Sequence, residues 1–418
     1  MGTRKIENRD GESAGRKVLE GSHVTLHSAV YPNDRRRPLN LGFAATNPCH
    51  VYSLAQAVAE LDSVVTCYMG YPRWRLHRPY PTNLRTHSFR TIVTYGLLRL
   101  PTWLRPEPKA LFQWQDKHFD HWVGQSMEEH DFIHAMPGQA LQIFRRARKE
   151  GISTVLNHAT GPARHVVKVM KPEYQRAGLK LEESTCYNES YWAQADEEYD
   201  LADWHCVAST LVRDQLIEQG INGERIWIVP YGAEPRIFYP PISKTWERFR
   251  ILFAGQVTLR KGIASLLQAL SSCRSSDWIV DFYGVVSADV KKDLAAYRGQ
   301  VPLRFHGAVP QSKLAEVMRG ASVLVLPSLE EGFGLVVPQS LACGTPCVVS
   351  DQVGAKDLVE AGVNGSIFPA NDPLSLLEQL HYWAEQKRCV MGDFSWREPA
   401  QQLLAHSTAA LTAQDDHL

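Results

Sequence analysis

"SVLVLPSLEEGFGLVVPQSLACGTPCVVSD", Ser322–Asp351, reads as a buried strand, a loop with two acids and two glycines, a short helix and a second buried strand. Apolar runs as short and continuous as VLVL and CVV, joined by a helix, predict neighbouring parallel strands covered on both faces. The loop between them raises the chemical question. Glu331 and Gln339 stand eight residues apart across the junction of loop and helix.

Working outward, the same strand–helix alternation runs through most of the chain. Strands are predicted at 23–29, 63–70, 130–136, 153–159, 204–209 and 226–232, with helical spacing in "HVYSLAQAVAEL", "GQALQIFRRARKEG" and "LVRDQLIEQG" between them. A Pro-rich segment, 230–249, reads as a linker. Alternation then resumes with "RILFAGQ", "WIVDFYG", "LRFHGAV", "SVLVLPS", "PCVVSD" and "GSIFPA", and with helices near 261–272, 288–298, 311–320, 334–343 and 373–386. The predicted class is α/β: two Rossmann-like, doubly wound domains facing across a cleft, with ligands at the carboxyl-end loops. The expected divisions are a disordered tail at 1–20, a first domain at 21–236, a second at 237–393, and a terminal helix at 394–418.

Composition agrees with this and narrows the function. At 418 residues the chain exceeds one ordinary core. Formal net charge is zero, which gives no general reason to expect a nucleic-acid partner. The eight cysteines contain no C-x-x-C pair, so reduced, cytosolic thiols are expected rather than a zinc ribbon or disulfide framework. The polar start carries no apolar core for a signal peptide, and Ile6 stands where a myristoylation signal wants Ser or Thr. No run of apolar residues is long enough to span a bilayer.

One local departure from this even composition is marked. Between Ser63 and Pro106 there is no acid, while Arg73, Arg75, Arg78, Arg85, Arg90, Arg99 and Arg105 all occur, interleaved with Trp74, Phe89 and Trp103. Three readings stay open at this stage. The stretch is a solvated face, a contact with an anionic membrane or lipid-diphosphate acceptor, or a single-strand nucleic-acid platform lacking any accompanying motif.

The loop residues carry the chemistry. Gly332 and Gly334 remove side chains where the backbone turns into a helix, whose free N–H groups and dipole favour an anion. Pro338 falls early enough in that helix for its missing N–H to cost little. Glu331 would repel phosphate, so it suits sugar hydroxyls; a loop acid solvating a helix start reads the same. In "FAGQVTLRKG", 253–262, Gly255 lets the chain turn, and Arg260 and Lys261 could neutralise a diphosphate, by a fork and as a point charge. A solvated charged turn is the alternative.

Taken in order, "PSLEEGFGLVVPQSLACGTPCVVSD", "AGQVTLRKG", "ADWHCVASTLVRDQL", "IVPYGAEPRIFYP" and "GSIFPANDPLSLLEQL" resemble the retaining GT-B glycosyltransferases of family 4, from about Asp200 to Leu380. In the first half the resemblance is looser, resting on "NPCHVYSLAQAVAEL", "HDFIHAMPGQALQ" and "GISTVLNHAT". It implies a second domain that binds a nucleotide-diphosphate sugar (UDP or GDP) and a first domain that binds a hydroxyl acceptor. It also implies a last helix that crosses back to the first domain. Glu331 matches the first acid of the family's Glu-x7-Glu signature, and Lys261 its diphosphate lysine. Phe333, Gly334 and Leu335 fall where backbone N–H groups touch sugar or phosphate, and Gly255 and Val309 complete the donor side.

Two positions depart from the family. Gln256 replaces the usual Arg after the first strand's glycine, and Gln339 replaces the ribose-binding second Glu. Arg260 is the nearest substitute for the missing charge. His158, ending a strand, is expected to face the donor sugar as a catalytic group. Gly42, Asn47 and His134 are assigned to the acceptor side, with His134 equally readable as structural.

The implied reaction is retaining hexosyl transfer to a saccharide or lipid-linked saccharide, in polysaccharide, lipopolysaccharide or glycolipid assembly. The leaving phosphate would take the acceptor proton. No Asp-x-Asp ends a strand, so no metal or other cofactor is expected. A sugar-nucleotide epimerase and a non-catalytic sugar-nucleotide or partner-binding relative remain as alternatives on the same fold. The expected location is cytoplasmic, with 63–106 touching the inner face of a membrane.

Overall fold

In the computed structural model, which describes residues 37–81, 83–181, 189–243, 247–386, 389–390 and 392–415, the chain builds two sheets. The first has seven strands in the order β3-β2-β1-β4-β5-β6-β7: β1 Asn40–Ala45, β2 Val64–Met69, β3 Asn83–Thr86, β4 Phe132–Ala135, β5 Ser153–His158, β6 Trp204–Val207 and β7 Ile226–Ile228. The second has six in the order β10-β9-β8-β11-β12-β13: β8 Phe249–Ala254, β9 Trp278–Tyr283, β10 Leu303–Gly307, β11 Val323–Leu326, β12 Cys347–Ser350 and β13 Gly365–Phe368. Pairing is parallel throughout both.

The helices are α1 His50–Ala59, α2 Phe89–Leu97, α3 Pro108–Ser126, α4 Leu141–Lys149, α5 Ala163–Arg176, α6 Glu189–Leu201 and α7 Thr210–Glu218 around the first sheet. Around the second are α8 Ile263–Ser272, α9 Lys291–Ala296, α10 Gln311–Gly320, α11 Val336–Ala342 and α12 Pro373–Gln386, and the last helix is α13 Arg397–Asp415. Both sheets are doubly wound, as the alternation predicts. Every residue of β11 and β12 is buried, which is why these strands read as continuous apolar runs. No helix among the described residues is long and apolar enough to cross a membrane.

Strand order reverses beside the first strand of each sheet, between β1 and β4 and between β8 and β11. Open α/β sheets leave a crevice at such a point, outside the carboxyl ends of the strands. In each sheet a hydrogen bond ties the two loops that flank it. Thr46 N–H donates to Gln139 Oε1 at 3.0 Å in the first. Leu329 N–H donates to the Arg260 carbonyl at 2.9 Å in the second.

The two sheets lie within one compact unit, Arg37–Leu418. Ser209 Oγ caps α7 by accepting from Val212 N–H and donates to the Gly332 carbonyl at 2.8 Å, joining the two halves. Thr210 adds two bonds to the Asp357 carboxylate, at 2.7 and 2.8 Å. Helix α5 leaves β5 but packs Val166, Met170 and Tyr174 against Val257, Leu259 and Ile263 of the second half. Helix α13 packs on α1, and His406 stacks on Trp227 at 5.6 Å.

Three expectations need correction or relocation. The Pro-rich segment is no loose linker: Tyr231, Ala233 and Phe238 are buried, and Tyr231 stacks on His50 at 4.3 Å and meets Phe333 at 4.9 Å. The helix expected from 334 begins at Val336, because Gly334 has φ +95° and cannot be helical. The strand at 23–29 and the tail at 1–20 lie outside the described residues, where the first strand is Asn40–Ala45.

Candidate active site

The crevice of the second sheet is formed by the loop after β8 and the loop after β11, and four charged residues meet there. Arg260 Nη1 donates to Glu330 Oε2 at 2.9 Å, and Lys261 Nζ contacts Glu331 Oε2. Each cation expected to meet a diphosphate is therefore held by an acid of the opposite loop. Burial, with Arg260 beside it, pushes the Lys261 ammonium down to about 7, against the pull of Glu330. The Glu331 backbone is fixed by N–H donation to the Gln352 carbonyl at 3.0 Å and by acceptance from Gly354 N–H at 2.9 Å.

Glycine is required where these loops touch. Gly262 has φ +69°, and a Cβ there would stand 1.8 Å from the Pro327 carbonyl oxygen. Gly332 runs against the other half of the molecule, where a Cβ would meet Thr160 Cα at 2.6 Å. The EGFG loop is thus pressed onto the end of β5. Beside Gly255, by contrast, a Cβ would meet nothing within 4 Å. Gln256 is exposed, Val309, Leu335 and Gln339 are half-buried, and the Phe333 ring is buried against Tyr231. The donor-side residues are in this way gathered on the carboxyl-end loops and helix starts of one sheet.

Glu330 escapes the reading of the sequence. It is 2% exposed, and its second oxygen, Oε1, is buried without a partner. Gln215 Oε1 of α7 is also buried and unpartnered, and both oxygens face Gly161, where a Cβ would lie 2.1 Å from Gln215 and 3.4 Å from Glu330. The only signal was the doubled acid in "LEEG"; which acid meets which cation depends on a contact across seventy residues.

The first half departs from expectation more. His158 is 2% exposed, stacks on His205, and its Nε2 lies 3.0 Å from His205 Nδ1. Burial holds the His158 imidazole well below its ordinary value and His205 down to about 4, so both rings are neutral. The imidazole faces His205 and Tyr199 rather than the crevice, and the His158 carbonyl, not the ring, reaches toward it by accepting from Tyr231 OH at 3.1 Å. His134 is fully buried, stacked on Phe43 and bonded to Asn157 Nδ2. Gly42 lies inside β1, where a Cβ would strike Ile133 and His130. These two residues belong to the packing of the sheet, so their assignment to an acceptor mouth is corrected.

Asn47 does stand at the first sheet's crevice, bonded to Thr46 Oγ1 and approached by Tyr95 OH, each at 3.4 Å. Two acids there were not foreseen. Asp116 of α3 bonds Thr46, and burial raises its carboxyl to about 7. Glu198 is fully buried and also raised to about 7 by burial; it accepts from Gly138 N–H at 2.6 Å and Ala140 N–H at 3.1 Å, fixing the loop after β4. Both come from helices whose sequence carries no motif.

Comparison with known proteins agrees with the geometry of the second sheet. The family model "Glycosyl transferases group 1" matches residues 241–392. A D-inositol 3-phosphate glycosyltransferase of Xylanimonas cellulosilytica is 32% identical over 208 residues, 45% of this chain and 48% of that one. The chain spans about half the length of the curated relatives it matches. Among solved structures, the sucrose-phosphate synthase of Thermosynechococcus elongatus superposes with a TM-score of 0.57 at 17% identity, over 90% of this chain and 94% of that one. Anabaena HepE, in complex with UDP and glucose, also gives 0.57, at 14% identity over 91% and 100%. These likenesses extend over both sheets and make the fold GT-B. Residues 241–392, which carry the second sheet of this two-sheet GT-B chain, match the glycosyl transferases group 1 model.

Proposed function

We propose that this chain transfers a hexose, with retention, from a nucleotide-diphosphate sugar held by the second sheet to a hydroxyl acceptor held by the first. The observation that carries the reading is the charged quartet Arg260–Glu330 and Lys261–Glu331 at the second sheet's switch point, pressed against the end of β5. On this reading 21–236 is the acceptor domain, 237–393 the donor domain, and 394–418 the helix that returns. The diphosphate displaces Glu331 from Lys261, and the freed carboxylate accepts hydrogen bonds from sugar hydroxyls. Arg260 adds positive charge from the same loop, and the N–H groups of Phe333–Leu335 complete the anion site. Charge placed in advance where the leaving group develops its own is the largest electrostatic contribution a transferase makes.

On the acceptor side the reading assigns Asn47, Thr46 and Asp116. A carboxyl with a pKa raised to about 7 is suited to accept a hydrogen bond from an acceptor hydroxyl near neutral pH. His158 enters only through its carbonyl, which ties Tyr231 to the end of β5. HepE is seen with UDP and glucose, which favours a uridine diphosphate sugar as the first donor to try.

The test incubates the protein with UDP-, GDP- and ADP-sugars and simple alcohol or saccharide acceptors, following nucleoside-diphosphate release and the anomeric configuration of the product. Release with formation of an α-linked glycoside from an α-linked donor is expected. Absence of release with every donor, acceptor present or not, would sink the reading; a free sugar epimer in place of a glycoside would point to the epimerase alternative. Gln339→Glu restores the family acid and is expected to change nucleotide affinity by about tenfold or less, since it exchanges a neutral for a charge-assisted hydrogen bond. Isothermal titration with the free nucleoside diphosphate checks this.

A further inference from the structure

Helix α2 is built inside out. It buries Thr91 and Thr94, at 2% and 0% exposure, and turns Phe89, Ile92 and Tyr95 to solvent. An ordinary surface helix shows the opposite pattern. Its surroundings repeat the anomaly. Of the sixteen large apolar side chains most exposed among the described residues, seven lie between 74 and 104: Trp74, Phe89, Ile92, Tyr95, Leu100, Trp103 and Leu104. Trp103 is 80% and Trp74 73% exposed. Apolar exposure concentrated in this way marks a binding surface.

The charge on the same segment indicates the partner. Residues 63–106 hold seven arginines and no acid. Among the described residues only Arg85 of the seven has a carboxylate within ion-pair distance, Glu128, while Arg73 and Arg78 lie over the Tyr80 ring and Arg90 over Trp114. A second copy of this chain would set arginines against arginines. A nucleic-acid strand would use the arginines and rings but offers nothing to Ile92, Leu100 and Leu104. A bilayer with anionic headgroups takes all three kinds of side chain: cations at the headgroups, aromatic rings at the interface, aliphatic groups below it.

We propose that the surface formed by residues 73–105, centred on α2, docks on an anionic lipid bilayer. The placement has a consequence for substrate class that rests on the transferase reading above. Tyr95, on the exposed side of α2, donates its hydroxyl to Asn47 in the loop after β1, at the acceptor crevice. A bilayer against α2 therefore borders that crevice, and the acceptor is a hydroxyl anchored in lipid rather than a free sugar.

The experiment sediments the full-length protein with phosphatidylcholine vesicles, with and without about 30 mol % phosphatidylglycerol, at low salt and at about 0.5 M salt. Binding at least about tenfold tighter to the anionic vesicles, weakened by salt, is expected. The variant Trp74→Ser/Phe89→Ser/Trp103→Ser should lose about tenfold or more of that binding. These three side chains stand outside the crevice, so the affinity for free nucleoside diphosphate and the circular dichroism of the variant should match wild type. Equal vesicle binding by variant and wild type, or none by wild type, would overturn the proposal. So would a preference for a single-stranded oligonucleotide over anionic vesicles, or a dimer that the triple variant abolishes. Vesicle binding involves no sugar transfer, so a protein that docks without turnover contradicts the transferase reading alone, and one that turns over without docking contradicts this one alone.

Discussion

Lys261→Ala is expected to lower kcat/KM for the donor by about 10²- to 10³-fold, the usual loss when one preorganised charge is removed from a developing anion. Lys261 is nearly buried and aimed between two loops, so no neighbouring side chain can swing into its place; Arg260, the nearest cation, is held on Glu330. Turnover as well as donor affinity should fall, because the diphosphate gains charge as it leaves. A pH profile gives an independent readout. The Lys261 ammonium sits at about 7, below the ordinary lysine value, so its charged form prevails below that pH and is lost above it. Wild-type kcat/KM, which reports the free enzyme, should fall with a limiting slope of about one logarithm per pH unit above pH 7, and Lys261→Ala should lack that limb. Unchanged kinetics in the variant would show that the diphosphate is held elsewhere. A wild-type profile flat to about pH 9 would show that Lys261 keeps its charge above 7 in the free enzyme.

The second sheet was legible in the sequence, and the first was legible except for β1 and β3, for a physical reason. β11 and β12 are buried on both faces, and burial on both faces leaves an unbroken apolar run. β1 is an interior strand of the first sheet, yet it reads "NLGFAA", with Asn, Gly and two alanines of low strand propensity. Its conformation comes from β2 and β4 on either side. β3 is a short polar edge strand, "NLRT", whose inward positions, Leu84 and Thr86, include one apolar side chain only. Helix α2 is amphipathic in sequence, and that its apolar side points outward is a property that only the structure reveals. Crossings between the halves, such as α5 against Leu259 or Glu330 against Arg260, lie beyond any local pattern. His158 shows the limit of strand-end reasoning: it ends β5, yet its imidazole is buried against His205 and Tyr199.

Gly262→Ala is expected to destabilise the protein by about 3 kcal/mol and to abolish donor binding, whereas Gly151→Ala should cost about 1 kcal/mol and leave activity intact. The two glycines share nearly the same backbone, φ +69° and +71°, so the penalty for a left-handed alanine is common to both. What differs is the space around them. A Cβ at 151 meets nothing within 4 Å, while a Cβ at 262 lies 1.8 Å from the Pro327 carbonyl oxygen. That oxygen belongs to the loop carrying Glu330 and Glu331, and Gly262 follows Lys261 directly. Relief of the clash therefore requires the loop after β8 to move away from the loop after β11, breaking the Leu329–Arg260 hydrogen bond and separating the quartet. For a chain of this size the two variants should unfold about 4 °C and about 1 °C below wild type in a thermal scan. Equal shifts would mean that the loops yield at no cost. Retained nucleotide affinity in Gly262→Ala would mean that the diphosphate does not need both loops in contact, and the proposed exchange between Glu331 and phosphate on Lys261 would lose its geometric basis.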